Sequence, residues 1–475
     1  YMVSTTMHFM PGCEILQSFD LVHWEHVTYV YETLDHTDAQ QLKSGQNIYG
    51  QGMWAASLRY HEGRFCICFV ANDTRKTYLY TSEKIDGPWK KQLIEGFYHD
   101  GSLLFDEDGR NYIVYGNDEI WITELNEDLT APKKDGLHRL LVSDHKNPEL
   151  GYEGSHIQKI NGYYYIFLIH SLRDRWMRTE ACFYSDSLEG EFTGGDVLCD
   201  DRGYCGQGVA QGGIVDTPDG KWYAMLFQDS GAVGRIPILL PVTWKDHFPF
   251  FGQNGHVPEE IEVHSTRPGY IYQPLVGSDD FCNGLLPRWQ FNHDPDPRYY
   301  HLDALQGTYT ITTREVCTEL TQAVNTLTQR MSYPSCAAEV TVDASALKEG
   351  DVAGLCALQS CYAAVGITKH HGKYEVLMLD KKEDGILDMT EGAVVESHQM
   401  DFRLEADFCN MKDEARCYYR VNKGDWLPIG TVHKLYFKLD HFTGCRFGLF
   451  CYAAEETGGS ACFRDFKYYD VDEIS

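Results

Sequence analysis

The sequence lacks the features that would place it in several large classes of protein. No run of eighteen or more apolar residues occurs in its 475 residues, so no spanning helix is expected. Basic residues are scarce: 41 Lys and Arg stand against 70 Asp and Glu, a formal net charge of −29. That balance argues against a nucleic-acid partner, which needs a basic footprint, and against an anionic membrane. It suits a neutral substrate, and it also simply favours solubility. No CxxC pair or Cys/His zinc spacing is present. The cysteines fall mostly in strand-like runs such as Phe65-Cys66-Ile67-Cys68-Phe69, where thiols act as small buried hydrophobes. Reduced thiols and a cytoplasmic home are the expectation, with secretion left open. Low-complexity tracts are absent and helical periodicity is weak. The opening Tyr1-Met2-Val3-Ser4-Thr5-Thr6 has neither the basic start nor the apolar core of a signal peptide. It reads as the middle of a strand, so an incomplete first repeat is expected there.

What is present is a repeat. A hydrophobic share of 43% and an aromatic share of 13% support a large core. Four segments share one plan: an apolar strand, a turn with glycine, then an aromatic strand. Their turn glycines, Gly63, Gly109, Gly162 and Gly220, are spaced by 46, 53 and 58 residues. The third copy, His156 to Tyr165, turns on Asn161-Gly162, a pair suited to a two-residue hairpin because both central positions need positive φ. A third strand follows each hairpin, as in Thr77 to Ser82. Tyr1 to Thr6, Glu14 to Ser18 and Leu21 to Trp24 read as the later strands of a fifth copy. Units of this length with several antiparallel strands imply propeller blades. The expected fold is all-β: a five-bladed propeller over 1–270, a linker over 271–279, and a β-sandwich over 280–475. The second domain shows longer alternating strands, at Tyr309–Thr312, Ala338–Val342, Tyr374–Met378 and Lys434–Leu439.

Innermost strands of a propeller begin near its axis, so residues at their starts face the central funnel. Two repeats carry an acid there: Asp100 in Tyr98-His99-Asp100-Gly101-Ser102, and Glu153 in Gly151-Tyr152-Glu153-Gly154-Ser155-His156. Two acids converging on one axis suit glycoside hydrolysis, in which one group protonates the leaving oxygen and another activates water or tunes the first. Position alone equally allows solvated or turn-capping acids.

The run His99 to Asp106, and Glu153-Gly154-Ser155-His156 followed by Asn161-Gly162-Tyr163-Tyr164-Tyr165, resemble glycoside hydrolase family 43. So does the last repeat, from Gln211-Gly212-Gly213 through Gly234-Arg235 to Trp244. The second domain, with Asn325 to Arg330, resembles the concanavalin-like sandwich of the β-xylosidase branch. The resemblance covers nearly the whole chain. It implies an inverting exo-glycosidase of β-xylosidase or α-L-arabinofuranosidase type, acting on xylo- or arabinoxylo-oligosaccharides. Glu153 matches the general acid and Asp100 the aspartate that orients and tunes it. The family's base aspartate lies upstream of the strand that Tyr1 to Thr5 resembles, and no residue here matches it; Glu14 is the nearest acid but sits in a later strand. A catalytically impaired carbohydrate-binding protein is therefore the second reading. Trp54 matches a subsite tryptophan, with a core aromatic as the competing role. Arg235 matches an arginine that binds sugar hydroxyls, with a buried ion pair as its competitor. Phe9 is a candidate wall of the sugar pocket, with packing as its competitor. The loop His441 to Phe447 resembles one that closes the pocket. No cofactor is required, but some members hold an axial calcium near a histidine, and Gln211 stands at that position. Many relatives are oligomers, so a homo-oligomer is also implied.

Overall fold

The computed structural model describes residues 1–470, and these form two all-β bodies joined along one seam. Among the described residues there is no α-helix, only short 3-10 turns. The first body is a five-bladed propeller. Blade 1 pairs Met2–Ser4, Gly12–Gln17 and Glu25–Tyr31. Blades 2 to 5 each have four antiparallel strands and begin at Met53, Ser102, Glu153 and Ala210. Every repeat hairpin forms the first pair of a blade. Asn161 and Gly162 both take positive φ, 51° and 84°, as a twisted two-residue turn requires.

The blades hold together by facing apolar layers. Val114 and Ile120 of blade 3 meet Ile166 and Leu168 of blade 4, and Phe167 of blade 4 meets Leu226 of blade 5. Central strands such as Tyr163–Ser171 are therefore buried on both faces, which explains their near-continuous apolar runs. Near the axis the innermost strands are tied by polar groups. Leu103 N donates to Ser57 Oγ and Ile157 N to Ser102 Oγ, each at 3.2 Å. Gln158 Nε2 donates to Ile214 O at 2.9 Å.

After Phe251 the chain runs back along blade 1. Thr266 N donates to Phe19 O at 2.7 Å, and Gln273 N to Glu25 Oε2 at 2.9 Å. It then builds a sandwich of an eight-stranded and a seven-stranded sheet around one apolar core. A strand pairing crosses the sequence boundary: Phe9–Met10, from the propeller part of the chain, pairs with Gln290–Asn292 at the edge of the larger sheet.

Two expected strands do not form. Leu21–Trp24 is a turn, because the Asp20 carboxylate accepts from Val22 N and His23 N and Leu21 takes φ 66°. The real strand follows at Glu25–Tyr31. Lys434–Leu439 leaves its sheet at Lys434. Its backbone is then satisfied by a side chain instead of a neighbouring strand: Tyr436 N donates to Gln359 Oε1 and Gln359 Nε2 to Tyr436 O.

The seam between the bodies buries three histidines. His8 has no hydrogen-bond partner on either ring nitrogen, and its ring centroid lies 4.8 Å from that of His293 and 5.3 Å from that of His441. Burial, then the neighbouring imidazoles, push His8 well below its ordinary pKa, and burial pushes His293 down to about 3. Both are neutral in the fold, while the unfolded chain protonates them near pH 6.5. Below that pH the unfolded state binds more protons, so stability is full above about 6.5 and falls as the solution is acidified. Two such groups predict a loss of about 2–3 kcal/mol between pH 7.5 and 5.5. Urea titrations across that range are the check.

Candidate active site

The mouths of three blades are irregular in the same way. Beta-bulges interrupt the first strand pair between Met53 and Ala56, between Glu153 and His156, and between Ala210 and Gly213. A bulge leaves an extra residue and re-aims the side chains around it. Here the three bulges bring Trp54, Glu153 and Gln211 to one cavity of about 410 Å³, a size suited to a small ligand. Blade 3 reaches the same cavity through Asp100, which takes a left-handed φ of 48°.

Asp100 and Glu153 lie on one wall. Asp100 Oδ2 accepts from Gly154 N at 3.0 Å, and Asp100 O accepts from Ser155 Oγ at 2.7 Å. Carboxylate oxygens of Asp100 and Glu153 stand within 4.8 Å of each other and of a ring nitrogen of His99. Burial, then the Glu153 charge, push Asp100 above the usual carboxylate range, although His99 opposes them. Asn117 Nδ2 donates to Glu153 Oε2 at 2.9 Å. Glu14 is not on the cavity wall; it pairs with His26 and Arg330. Among the described residues lining the cavity, Asp100 and Glu153 are the only carboxylates.

The opposite wall is built from both bodies. Arg235 of blade 5 donates from Nε to Asp229 Oδ1 at 3.1 Å, and Asp229 also pairs with the buried Arg178. Arg235 is thus ion-paired and cavity-lining at once. Phe442, from the sandwich, wedges between blades: its ring lies 4.1 Å from the Arg235 guanidinium carbon and meets Trp54 edge-on at 5.5 Å. Its loop can come this close because two glycines meet backbone to backbone. Gly234 and Gly444 take φ of 93° and 98°, and a Cβ on Gly234 would stand 2.5 Å from Gly444 N. Cys445 N then donates to Ala232 O at 2.8 Å.

Phe9 is not a wall of the cavity. It is wholly buried in the seam, where the Arg446 guanidinium covers its ring at 3.6 Å. The loop His441–Phe447 does reach the site, through Phe442 and Thr443. Sequence reasoning missed His99, Asn117 and Asp229 as neighbours of the predicted residues. His99 was legible as the residue beside Asp100, whereas Asn117 and Asp229 lie at strand ends with no motif to mark them.

The residues around Gln211 do not fit an axial calcium. That ion wants six to eight oxygen ligands. The inward oxygens of the innermost strands are taken by a buried guanidinium. Arg59 Nε donates to Leu103 O at 3.0 Å, Nη1 to Leu58 O at 3.0 Å, and Nη2 to Ser102 Oγ at 3.0 Å and Ile157 O at 2.8 Å. It thereby ties blades 2, 3 and 4 with its own fixed charge. Burial, then the Arg59 charge, push the adjacent His156 down to about 4. Gln211 packs its side chain on Gly154, and its backbone N–H goes to Glu180.

Two family models cover most of the chain. Glycosyl hydrolases family 43 matches residues 1–249, and the beta xylosidase C-terminal concanavalin A-like domain matches 278–469. The chain belongs to glycosyl hydrolase family 43. It is 25% identical to a beta-xylosidase of Formosa agariphila, over 99% of this chain and 86% of that one. Identity to a non-reducing end alpha-L-arabinofuranosidase of Bacteroides ovatus is 23%, over 82% and 76%. A solved bifunctional GH43-CE protein of Bacteroides eggerthii superposes with a TM-score of 0.91 and 41% identity. This chain is covered entirely in that match and spans 61% of that protein's length.

If Arg59 stands in for a metal on the axis, chelation leaves the melting temperature of this family 43 chain unchanged. Arg59→Met, which strands three carbonyls, is expected to cost about 3 kcal/mol in denaturant unfolding.

Proposed function

We propose that the chain is an inverting exo-glycosidase that removes xylose or arabinose from the ends of xylan- or arabinoxylan-derived oligosaccharides. The carrying observation is the pairing of Asp100 and Glu153 on one wall, facing Trp54, Arg235 and Phe442 on the others. Glu153 is the general acid, and Asn117 holds its carboxyl by a hydrogen bond to Oε2. Asp100 is its tuning neighbour. With oxygens within 4.8 Å, the pair is too close to flank an attacking water, which needs about 6.5–9.5 Å between acid and base. Asp100 is therefore not the base, and the water-activating group is not among the residues lining this cavity. Trp54 offers a flat face to a sugar ring, and Arg235, aimed by Asp229, offers donors to its hydroxyls. Names of the relatives above, beta-xylosidase and arabinofuranosidase, support the same pair of sugars.

Nitrophenyl β-xyloside and α-arabinofuranoside, assayed side by side with the full-length gene product, test the reading. Turnover of either supports it, and the ratio names the sugar; sugar binding without turnover on both would overturn it. Glu153→Ala should reduce turnover of xylobiose, whose leaving group needs a proton, by about 10²–10⁴-fold while the circular dichroism spectrum stays unchanged. Phe442→Ala, which removes the sandwich's contact with Arg235 and Trp54, should raise KM by about tenfold with a smaller change in kcat.

A further inference from the structure

Among the described residues, His99 stands with the paired acids in one cluster. Its Nε2 lies 3.6 Å from Asp100 Oδ2 and 3.8 Å from Glu153 Oε2, and its ring centroid sits 6.0 Å from that of Trp54. The contact joins the mouths of three blades: Trp54 from blade 2, His99 and Asp100 from blade 3, Glu153 from blade 4. Nothing in glycoside hydrolysis requires a histidine at this place, so its charge needs an account.

We infer that His99 is a positioning residue that, as an imidazolium, stabilises the Glu153 carboxylate formed when Glu153 gives up its proton. The inference rests on the glycosidase reading above. In that step the Glu153 proton passes to the glycosidic oxygen, the bond from the anomeric carbon to that oxygen breaks with its electron pair going to the oxygen, and a water adds to the anomeric carbon and gives up a proton to solvent. Glu153 is left as an anion beside the buried Asp100. Two carboxylates this close repel each other, and a cation touching both offsets the repulsion. Burial alone would lower the His99 pKa, but Glu153 and Asp100 outweigh burial and hold it above its ordinary value. Arg75, from the turn between the second and third strands of blade 2, is the charge that opposes protonation. Asn117 contacts Glu153 without charge, and Arg178 and Arg235 act on the acids from the blade 4 and blade 5 side.

With the cation present, the carboxylate that Glu153 becomes on proton transfer is stabilised by the facing charge. His99→Phe in the full chain should therefore lower kcat about tenfold on xylobiose, whose leaving group needs a proton. On nitrophenyl xyloside, whose leaving group does not, the loss should be under about threefold. The alkaline limb of the kcat/KM profile should move up by about one pH unit, with KM and melting temperature nearly unchanged. An equal loss on both substrates with an unmoved profile would mark a merely structural role and overturn the inference, as would no change at all. A second readout does not need turnover. NMR titration of the His99 ring in the wild type should give a midpoint above the ordinary 6.5, falling in Glu153→Gln; an unmoved midpoint overturns the inference. A wild type silent on every glycoside yet showing that coupling would sink the glycosidase reading and leave the electrostatic contact standing, so the two failures are distinguishable.

Discussion

The hydrogen bond from Gly154 N to Asp100 Oδ2 is the contact on which the site depends. It joins the mouths of blades 3 and 4, and it forms only because Asp100 accepts a left-handed backbone and Gly154 has no side chain. Gly154 takes φ 64°, and a Cβ there would stand 2.6 Å from Gln211 Cγ. The same bond places two carboxyls within reach of each other in a buried wall. Two electrostatic features of the site follow from that: burial and the Glu153 charge raise Asp100, and the two acids raise the facing His99.

The second constraint is the seam. A propeller alone would leave its mouth open on the side where the sandwich now stands. Phe442 enters between Trp54 and Arg235 because Gly234 and Gly444 allow two backbones to touch. The seam's interior is polar but partly unsatisfied, with His8 and Arg446 holding unpartnered nitrogens in full burial. Its buried neutral histidines make the junction sensitive to acid. On the axis, Arg59 solves the problem of converging carbonyls with a covalently attached cation.

The blades were legible because their strands repeat a strong local signal, an apolar run, a glycine turn and an aromatic run. Asp100 and Glu153 were legible because repeats align, so equivalent positions in adjacent copies point at one axis. Trp54 and Arg235 came from the resemblance to family 43, not from the repeat. Phe9 misled because an aromatic near a pocket reads the same whether it faces sugar or lies under an arginine; only the burial distinguishes them. Leu21–Trp24 misled because alternation says nothing of an aspartate that caps the preceding turn. Arg59 could not be read at all, since a lone arginine in a strand normally faces solvent, and its carbonyl partners come from three separate repeats. His99 was in view as part of a motif, but its contact with Glu153 spans two blades.

The most direct measurement is a crystal structure of the Glu153→Gln variant soaked with xylobiose or an arabinosyl xylo-oligosaccharide. The account predicts the terminal sugar in the cavity, its face on Trp54, a hydroxyl on Arg235, and the new amide within hydrogen-bond reach of the glycosidic oxygen. A sugar seated elsewhere, or a glycosidic oxygen out of reach of residue 153, would contradict it.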